Sequence, residues 1–384
     1  MRLSCEKGLL LDGLNLVSRA VSARTTKPIL ECVLLSTRDD LGLVLCGNDT
    51  ELCITSSLIE AEVERRGGIA LHAKLFTDIV RKMPGDVVSI DVDEKGVTEV
   101  TGGRAVMRIY GLPAEEFPVI AERELADSPA QYTLSAALLR DMIRQTIFSV
   151  SLDQSKLILT GELFDIKEGV LQIVSLDMHR ISYRSHKFLG EDTTARDHNA
   201  VIPARALHEL SRALSGEEDE TEVVFYFTDK RVVFDTPGYR FVSRLLEGDF
   251  IRYGQIFNED FNLLMIVDRV LLLNSLERTL LVAGESKHIP IKMDIHDDVL
   301  QVSAQTAERG QSHDEIPCET NGQDLVIYFN PKYLIDALRV IEEENVQIKF
   351  TGPKSACTIR GAKPEDETNH DDQKYLIVPL RGPA

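Results

Sequence analysis

The sequence predicts an α+β chain of three similar domains, each with two helices packed on antiparallel sheet. Two repeated patterns and one asymmetry of charge lead there. First, one eight-residue pattern occurs three times: Lys74-Leu75-Phe76-Thr77-Asp78-Ile79-Val80-Arg81, Arg205-Ala206-Leu207-His208-Glu209-Leu210-Ser211-Arg212 and Lys332-Tyr333-Leu334-Ile335-Asp336-Ala337-Leu338-Arg339. Each copy reads base, acid four residues on, base three residues later. The starts lie 131 and 127 residues apart, close to a third of the 384-residue chain. Equal spacing marks an internal repeat, and helical periodicity puts the same charged face on each copy. Second, residues 27–35 align with 156–164 and more weakly with 287–293. Alternating, strand-like runs follow each of them at 41–45, 170–174 and 299–303. Third, net charge is −19, yet six helical stretches, 9–24, 74–82, 135–148, 203–214, 268–282 and 331–340, sum to +6 and leave −25 on everything else.

The elements of each repeat follow in order. Amphipathic helical stretches at 9–22, 135–148 and 268–282 come first, with apolar residues at three- and four-residue intervals. The strand runs follow, then the second helix at 74–82, 203–214 and 331–340. Further strands at 87–92, 222–227 and 346–350 close each repeat. Boundaries fall near Ala126 and Phe257, giving domains 1–126, 127–256 and 257–384. The acidic, turn-rich segments 216–221 and 361–373 read as solvated loops.

Composition excludes several classes. Apolar content of 43% and charged content of 27% are ordinary for a globular protein. No apolar run approaches the roughly 18 residues that span a bilayer, so no membrane partner is expected. The N-terminus leads into no signal-peptide pattern. The cysteines at 5, 32, 46, 53, 318 and 357 show neither CxxC nor zinc-finger spacing. Four of them lie among aliphatic residues in the first 53 positions and read as small hydrophobes in a reducing, cytoplasmic setting. No metal or cofactor is expected. A basic helical face repeated three times in an acidic chain points to a polyanion. A simple intrahelical pair favours the acid leading, whereas here the base leads, so helix stabilisation alone does not explain the pattern.

Six segments carry a resemblance that runs the length of the chain. They are Arg24-Thr25-Thr26-Lys27-Pro28-Ile29-Leu30, Gly111-Leu112-Pro113-Ala114-Glu115-Glu116-Phe117-Pro118, Phe148-Ser149-Val150-Ser151, Asp177-Met178-His179-Arg180, Phe329-Asn330-Pro331-Lys332-Tyr333-Leu334 and Tyr375-Leu376-Ile377-Val378-Pro379-Leu380-Arg381. In this order they resemble the bacterial replicative sliding clamps, the β subunits of DNA polymerase III. The resemblance implies a DNA clamp fold. Two chains close head to tail as a homodimeric ring, with helices lining a hole and sheets forming the outer wall. The implied function is a non-catalytic processivity factor in DNA replication, threaded by double-stranded DNA without regard to sequence. The implied protein partners are the polymerase III catalytic subunit, the clamp-loader ATPase, and other polymerases or repair proteins that dock through short hydrophobic motifs.

The resemblance alone assigns Arg24, and the resemblance with the repeat assigns Lys74, Arg81, Arg205, Arg212, Lys332 and Arg339, to the DNA side. By resemblance alone, a peptide pocket is formed by Leu159, Leu176, His179, Arg180, Ile181, Ile251, Ile256, Asn330, Tyr333, Leu376, Val378, Pro379, Leu380 and Arg381. An apolar groove with a few polar anchors suits a short hydrophobic motif. The bland reading makes the aliphatics ordinary core and His179 and Arg180 a turn tied to Asp177. The implied dimer interface brings Met107 and Ile109 of the first domain against Val282 and Ala283 of the third. Arg104 and Arg108 add charge to the first domain's edge. The chain departs from the family at Leu176 and Met178, where Thr and Gly are usual, and at Ile251, where Pro is frequent. Lys156-Leu157 replaces Arg-Pro, and the chain continues past Arg381 as Gly382-Pro383-Ala384.

Two rival readings are weaker. An enzyme would use Asp177, His179 and Arg180, or a metal helix at His208-Glu209. Arg212 stands where HExxH needs its second His, and GxSxG and GxxxxGK[ST] are absent. An accessory clamp-fold scaffold that never encircles DNA is the alternative; the basic helix faces argue against it.

Overall fold

Strand runs interrupted by two helices recur three times along the chain. The computed structural model describes residues 1–22, 25–38, 42–120, 130–188, 197–257, 260–284, 290–362 and 371–382. In the first repeat β1 (Arg2–Glu6) and α1 (Lys7–Val17) precede β2 (Cys32–Arg38), β3 (Gly42–Asn48), β4 (Leu52–Ser56), β5 (Ile59–Arg65) and β6 (Gly68–His72). Helix α2 (Ala73–Lys82) leads to β7 (Val87–Val92), β8 (Val97–Gly102), β9 (Ala105–Tyr110) and the short β10 (Leu112–Pro113). The second repeat runs β11 (Tyr132–Ser135), α3 (Ala136–Arg144), β12 (Gly161–Lys167), β13 (Val170–Leu176), β14 (Arg180–Lys187) and β15 (His198–Pro203). It continues through α4 (Ala204–Leu214), β16 (Glu222–Phe227), β17 (Arg231–Asp235) and β18 (Tyr239–Arg244). The third runs β19 (Leu263–Asp268), α5 (Arg269–Ala283), β20 (Ile291–His296), β21 (Val299–Thr306), β22 (Gly310–Gly322) and β23 (Leu325–Phe329). Helix α6 (Pro331–Leu338), β24 (Asn345–Phe350), β25 (Cys357–Gly361) and β26 (Gln373–Ile377) complete it.

The helices form where the periodicity places them, and local chemistry sets their ends. The Nδ1 of His72 accepts from the Leu75 amide at the start of α2, and the Asp268 carboxylate accepts from the Leu271 amide at the start of α5. Asn330 caps α6 through the Lys332 amide, with Pro331 at the first helical position, where its missing N–H costs nothing. Two helices stop earlier than the periodicity predicts. Helix α1 gives way to a 3₁₀ turn at Ser18–Ala20. Helix α3 ends at Arg144 because the Thr146 hydroxyl donates to the Met142 and Ile143 carbonyls, competing with the backbone ladder. A 3₁₀ turn at Ile147–Ser149 follows.

Pairing divides the described residues into two compact units, 1–138 with 208–245, and 139–207 with 246–384. In the first, antiparallel pairing gives the order β11-β16-β17-β18-β4-β3-β5-β1-β7-β8-β9, with β2, β6 and β10 branching from β3. In the second the order is β15-β12-β13-β14-β26-β25-β24-β19-β22-β21-β20-β23. The central repeat therefore gives four strands to each sheet. The joins are β18 on β4, with Val242 opposite Cys53, and β14 on β26, with Ile181 opposite Leu376. This is a division by contact, distinct from the three-fold division by repeat.

Helices α1, α2, α5 and α6 lay apolar residues on sheet. In α2 the buried residues are Ala73, Phe76, Thr77, Ile79 and Val80, and a large side chain as fully enclosed as Phe76 contributes about 1.5–3 kcal/mol. Gly47 in β3 admits the end of α1, since a Cβ there would lie 2.0 Å from the Val17 carbonyl oxygen. No helix among the described residues is long and apolar enough to cross a membrane.

Candidate peptide pocket and basic helix faces

The second unit builds its candidate site around the turn between β13 and β14. The Asp177 carboxylate accepts from the amides of His179 at 2.7 Å and Arg180 at 3.1 Å, and the Asp177 amide donates to the Arg180 carbonyl. This Asx-type turn fixes the tip and leaves Met178 and His179 exposed. Arg180 points the other way, with a side chain only 10% exposed. Its Nε lies 3.2 Å from Asp177, its Nη1 2.7 Å from Asp336 on α6, and its Nη2 donates to the Phe148 carbonyl. The guanidinium also lies over the Tyr333 ring at 4.6 Å and the Phe148 ring at 5.4 Å. Such a planar fork holds several partners at once.

The C-terminal strand closes the site. The Val378 amide donates to the His179 carbonyl and the Leu380 amide to that of Tyr328, both at 2.8 Å. The His179 ring stacks on Tyr333, centroids 5.9 Å apart. Beneath, Leu159, Leu176, Ile181 and Leu376 are buried with Leu163, Val174, Val201 and Tyr253, against Ile158, Leu246, Phe250 and Phe257. Exposed apolar residues border this cluster along the chain: Met178 at 68%, Ile251 at 46%, Ile256 at 37% and Val378 at 37%. Pro379 and Leu380 are half-buried, and Arg381 is exposed. Asn330 is buried, its side-chain oxygen committed to capping α6.

The expected pocket residues thus fall into three kinds. Leu159, Leu176, Ile181 and Leu376 are buried in one apolar cluster; His179, Ile251, Ile256, Val378 and Arg381 are exposed, with Pro379 and Leu380 half-buried beside them and Met178 exposed at the turn; Arg180, Asn330 and Tyr333 tie the surrounding elements together. Both bland readings hold in part, since that cluster is core and Asp177 does hold Arg180. Sequence reasoning missed Asp336 as the partner of Arg180. It also missed the exposed Leu152 (85%); Leu157, already noted as a departure from the family, is 56% exposed beside Lys156, whose Nζ lies 3.5 Å from the Met178 sulfur.

The basic positions of the repeated helix are all exposed where described. Arg81 pairs with Asp78 at 2.9 Å and Arg212 with Glu209 at 3.0 Å, the acid preceding the base by three residues. The pair is therefore the acid with the later base, not the leading base with the acid. Arg339 instead reaches Glu277 on α5 at 2.7 Å, because Asp336 is taken by Arg180. No carboxylate among the described residues lies within ion-pair distance of Lys74 or Lys332. Arg205 is exposed on α4, and Arg24 lies outside the described residues.

Strand β9 ends its sheet, with Val106, Met107 and Tyr110 exposed and Ile109 buried. Arg108 pairs with Glu99 at 2.8 Å. In α5, Val282 is half-buried and Ala283 is buried, while the neighbouring Leu281 is 76% exposed. Among the described residues no group of three or more His, Cys, Asp or Glu is placed to hold a metal ion.

Comparison with known proteins covers nearly all of the chain. Family models for the DNA polymerase III beta subunit match at residues 1–121 (N-terminal domain), 133–251 (central domain) and 254–381 (C-terminal domain). The beta sliding clamp of Halalkalibacterium halodurans is 32% identical, over 99% of this chain and 100% of that one. The beta sliding clamp of Bacillus subtilis is 31% identical, with the same coverage of both chains. A putative DNA polymerase III beta subunit from Eubacterium rectale superposes with a TM-score of 0.91 at 36% identity, covering 100% of both chains. A Pseudomonas aeruginosa sliding clamp bound to griselimycin does so with a TM-score of 0.90 at 27% identity, covering 99% of both. This chain belongs to the DNA polymerase III beta subunit family.

Proposed function

We propose that this chain acts as a DNA sliding clamp, a non-catalytic processivity factor that closes as a head-to-tail homodimeric ring around duplex DNA. The observation that carries this is the exposed basic helix face occurring three times in a chain of net charge −19, together with family models matched across all three repeats. The working domains are 1–126, 127–256 and 257–384, and the setting is the cytoplasm. Lys74, Arg81, Arg205, Arg212, Lys332 and Arg339, with Arg24, face the phosphate backbone. Contacts of this kind are independent of sequence and weak enough to let the ring slide. Tethering by topology then raises the polymerase's effective concentration at the primer end without any bond-making step.

The pocket over Leu159, Leu176, Ile181 and Leu376 takes short hydrophobic motifs from the polymerase III catalytic subunit, the clamp loader and other polymerases or repair proteins. Exposed apolar rim beside a pre-formed apolar floor is what such a motif needs, and backbone groups at β26 and the turn supply its polar anchors. The test is retention on DNA. Loaded with a clamp loader and ATP, the protein is expected to stay on closed circular DNA and leave once the circle is linearised. Loss from both forms with the dimer intact by sedimentation would favour an accessory scaffold instead.

A further inference from the structure

We propose that Cys46 and Cys53 form a reversible dithiol–disulfide couple, a peroxide-sensitive modification site in the hairpin that joins the first repeat's sheet to the second's. Their sulfurs lie 3.6 Å apart on adjacent antiparallel strands, β3 and β4, and both residues are buried. Both point to the same face, where they pack with Cys32, Leu34, Tyr226, Val233 and Val242.

Register shows what closure demands. Cys46 pairs with Thr55 and Asn48 with Cys53, so the two cysteines are diagonal neighbours rather than directly opposed. Diagonal positions hold their backbones about 7–8 Å apart, at the limit of what a disulfide of ~2.05 Å spans without backbone movement. A bond formed there is strained, and strained disulfides have the more oxidising potentials that cellular dithiols reverse. The hairpin tip at Thr50 lies within four residues of each cysteine. Thr50 at that tip has a φ of 80°, in the left-handed region, held by Asn48 and Asp49 side chains that accept from the Thr50, Glu51 and Leu52 amides. Opening of this exposed tip admits an oxidant no larger than a peroxide.

The two sulfurs differ in environment. The Cys53 thiol lies beside the Cys46 sulfur and, at 3.6 Å, the Thr55 hydroxyl donates to it; these contacts favour the Cys46 thiolate despite burial. Cys53 is pushed the other way by the same contact and by burial. The Thr55 hydroxyl donates to Cys46 and so makes Cys46 the proposed nucleophile. Its thiolate attacks hydrogen peroxide, an S–O bond forms, the O–O bond breaks, and the departing hydroxide leaves as water after taking a proton. The Cys53 sulfur then attacks the Cys46 sulfenic acid, the S–S bond forms and the S–O bond breaks. The second water carries off the Cys53 proton. Two thiols and one peroxide give one disulfide and two waters. The other four cysteines are internal controls, since burial pushes Cys5, Cys32 and Cys318 up to about 11 and Cys357 to about 12.

The experiment treats the full folded chain with hydrogen peroxide, blocks free thiols, and maps peptides after denaturation. The expected result is loss of two of the six thiols, a single linked peptide pair carrying Cys46 and Cys53, and full recovery with a dithiol reductant. Cys53→Ser should instead accumulate a sulfenic acid at Cys46 that a dimedone probe captures. Six free thiols after treatment of the wild-type chain, or linkage through any other cysteine, would overturn the proposal. The wild-type map decides this even if Cys53→Ser does not fold.

Discussion

At the scale of single residues, the second repeat contains a carboxyl that its surroundings do not welcome. Glu162 on β12 is fully buried, and both its carboxylate oxygens lack a hydrogen-bond partner. Burial pushes its pKa from 4.5 up to about 8, a neighbouring Thr146 hydroxyl opposing only part of that effect. The folded chain therefore holds this proton where the unfolded chain has released it. Stability is expected to fall as pH rises from about 4.5, and to level off above the folded-state pKa near 8. The cost at the plateau is roughly 3–5 kcal/mol. Glu162→Met removes the titration at similar volume. Thermal unfolding should show it more stabilising at pH 8 than at pH 5, and an equal gain at both would exclude the mechanism. Arg180 is the opposite case, a buried charge with every direction answered. Removing one partner of such a pair strands the other, which is why this residue reads as a strut under the pocket.

At the scale of elements, the helices and the individual strands were legible and the pairing of the strands was not. Periodic apolar residues and a tripled charge pattern placed α1 to α6 to within a few residues, because both signals are local in sequence. The pairing of β4 with β18 and of β14 with β26 joins strands nearly two hundred residues apart, and alternation in each strand carries no trace of its distant neighbour. The proposed floor of the peptide pocket was legible only through resemblance, since Leu159 and Leu376 read like any core residue. The third helix copy shows a finer limit. Its acid looks equivalent to Asp78 and Glu209, yet Asp336 serves Arg180, and Arg339 turns to Glu277. Charge on the three faces is therefore unequal in effect. Lys74 and Lys332 carry charge no local acid answers, whereas Arg81 and Arg212 are each paired within their own helix. Lys74→Ala and Lys332→Ala should each lower the slope of log affinity against log salt for a short duplex by about 0.9. Arg81→Ala should lower it less, and an equal drop for all three would show that the pairing does not matter to DNA.

At the scale of the whole molecule, what matters is which sheet edges are left open. Strand β9 ends the first unit's sheet with Val106, Met107 and Tyr110 exposed, a row of apolar side chains beside unpaired backbone groups. An edge of that kind invites another strand unless something covers it. In the second unit, β22 gives its first half to β21 and its second half to β19, so the outer side of its first half has no strand beside it among the described residues. The two edges differ in charge, with Arg104 and Arg108 on β9 and the turn before it and Asp314 and Glu315 on β22, although within the chain Arg108 pairs with Glu99, Asp314 with Arg278 and Glu315 with His313. We propose that the dimer forms by a head-to-tail contact between one copy's β9 and the other copy's β22; such a contact uses different surfaces on each partner, and two of them close a dimer. Leu281, exposed at the end of α5, joins Val282 as apolar surface on the third repeat, because Ala283 is already consumed by its own core. Met107→Asp places an unpaired charge in the centre of this contact. Sedimentation should then report a monomer at concentrations where the parent chain is a dimer, with secondary structure intact by circular dichroism. Arg104→Glu with Arg108→Glu should weaken the dimer as well, and more so at low salt, where like charges on the facing strands repel over a longer range. A dimer unmoved by either change would place the contact elsewhere on the chain.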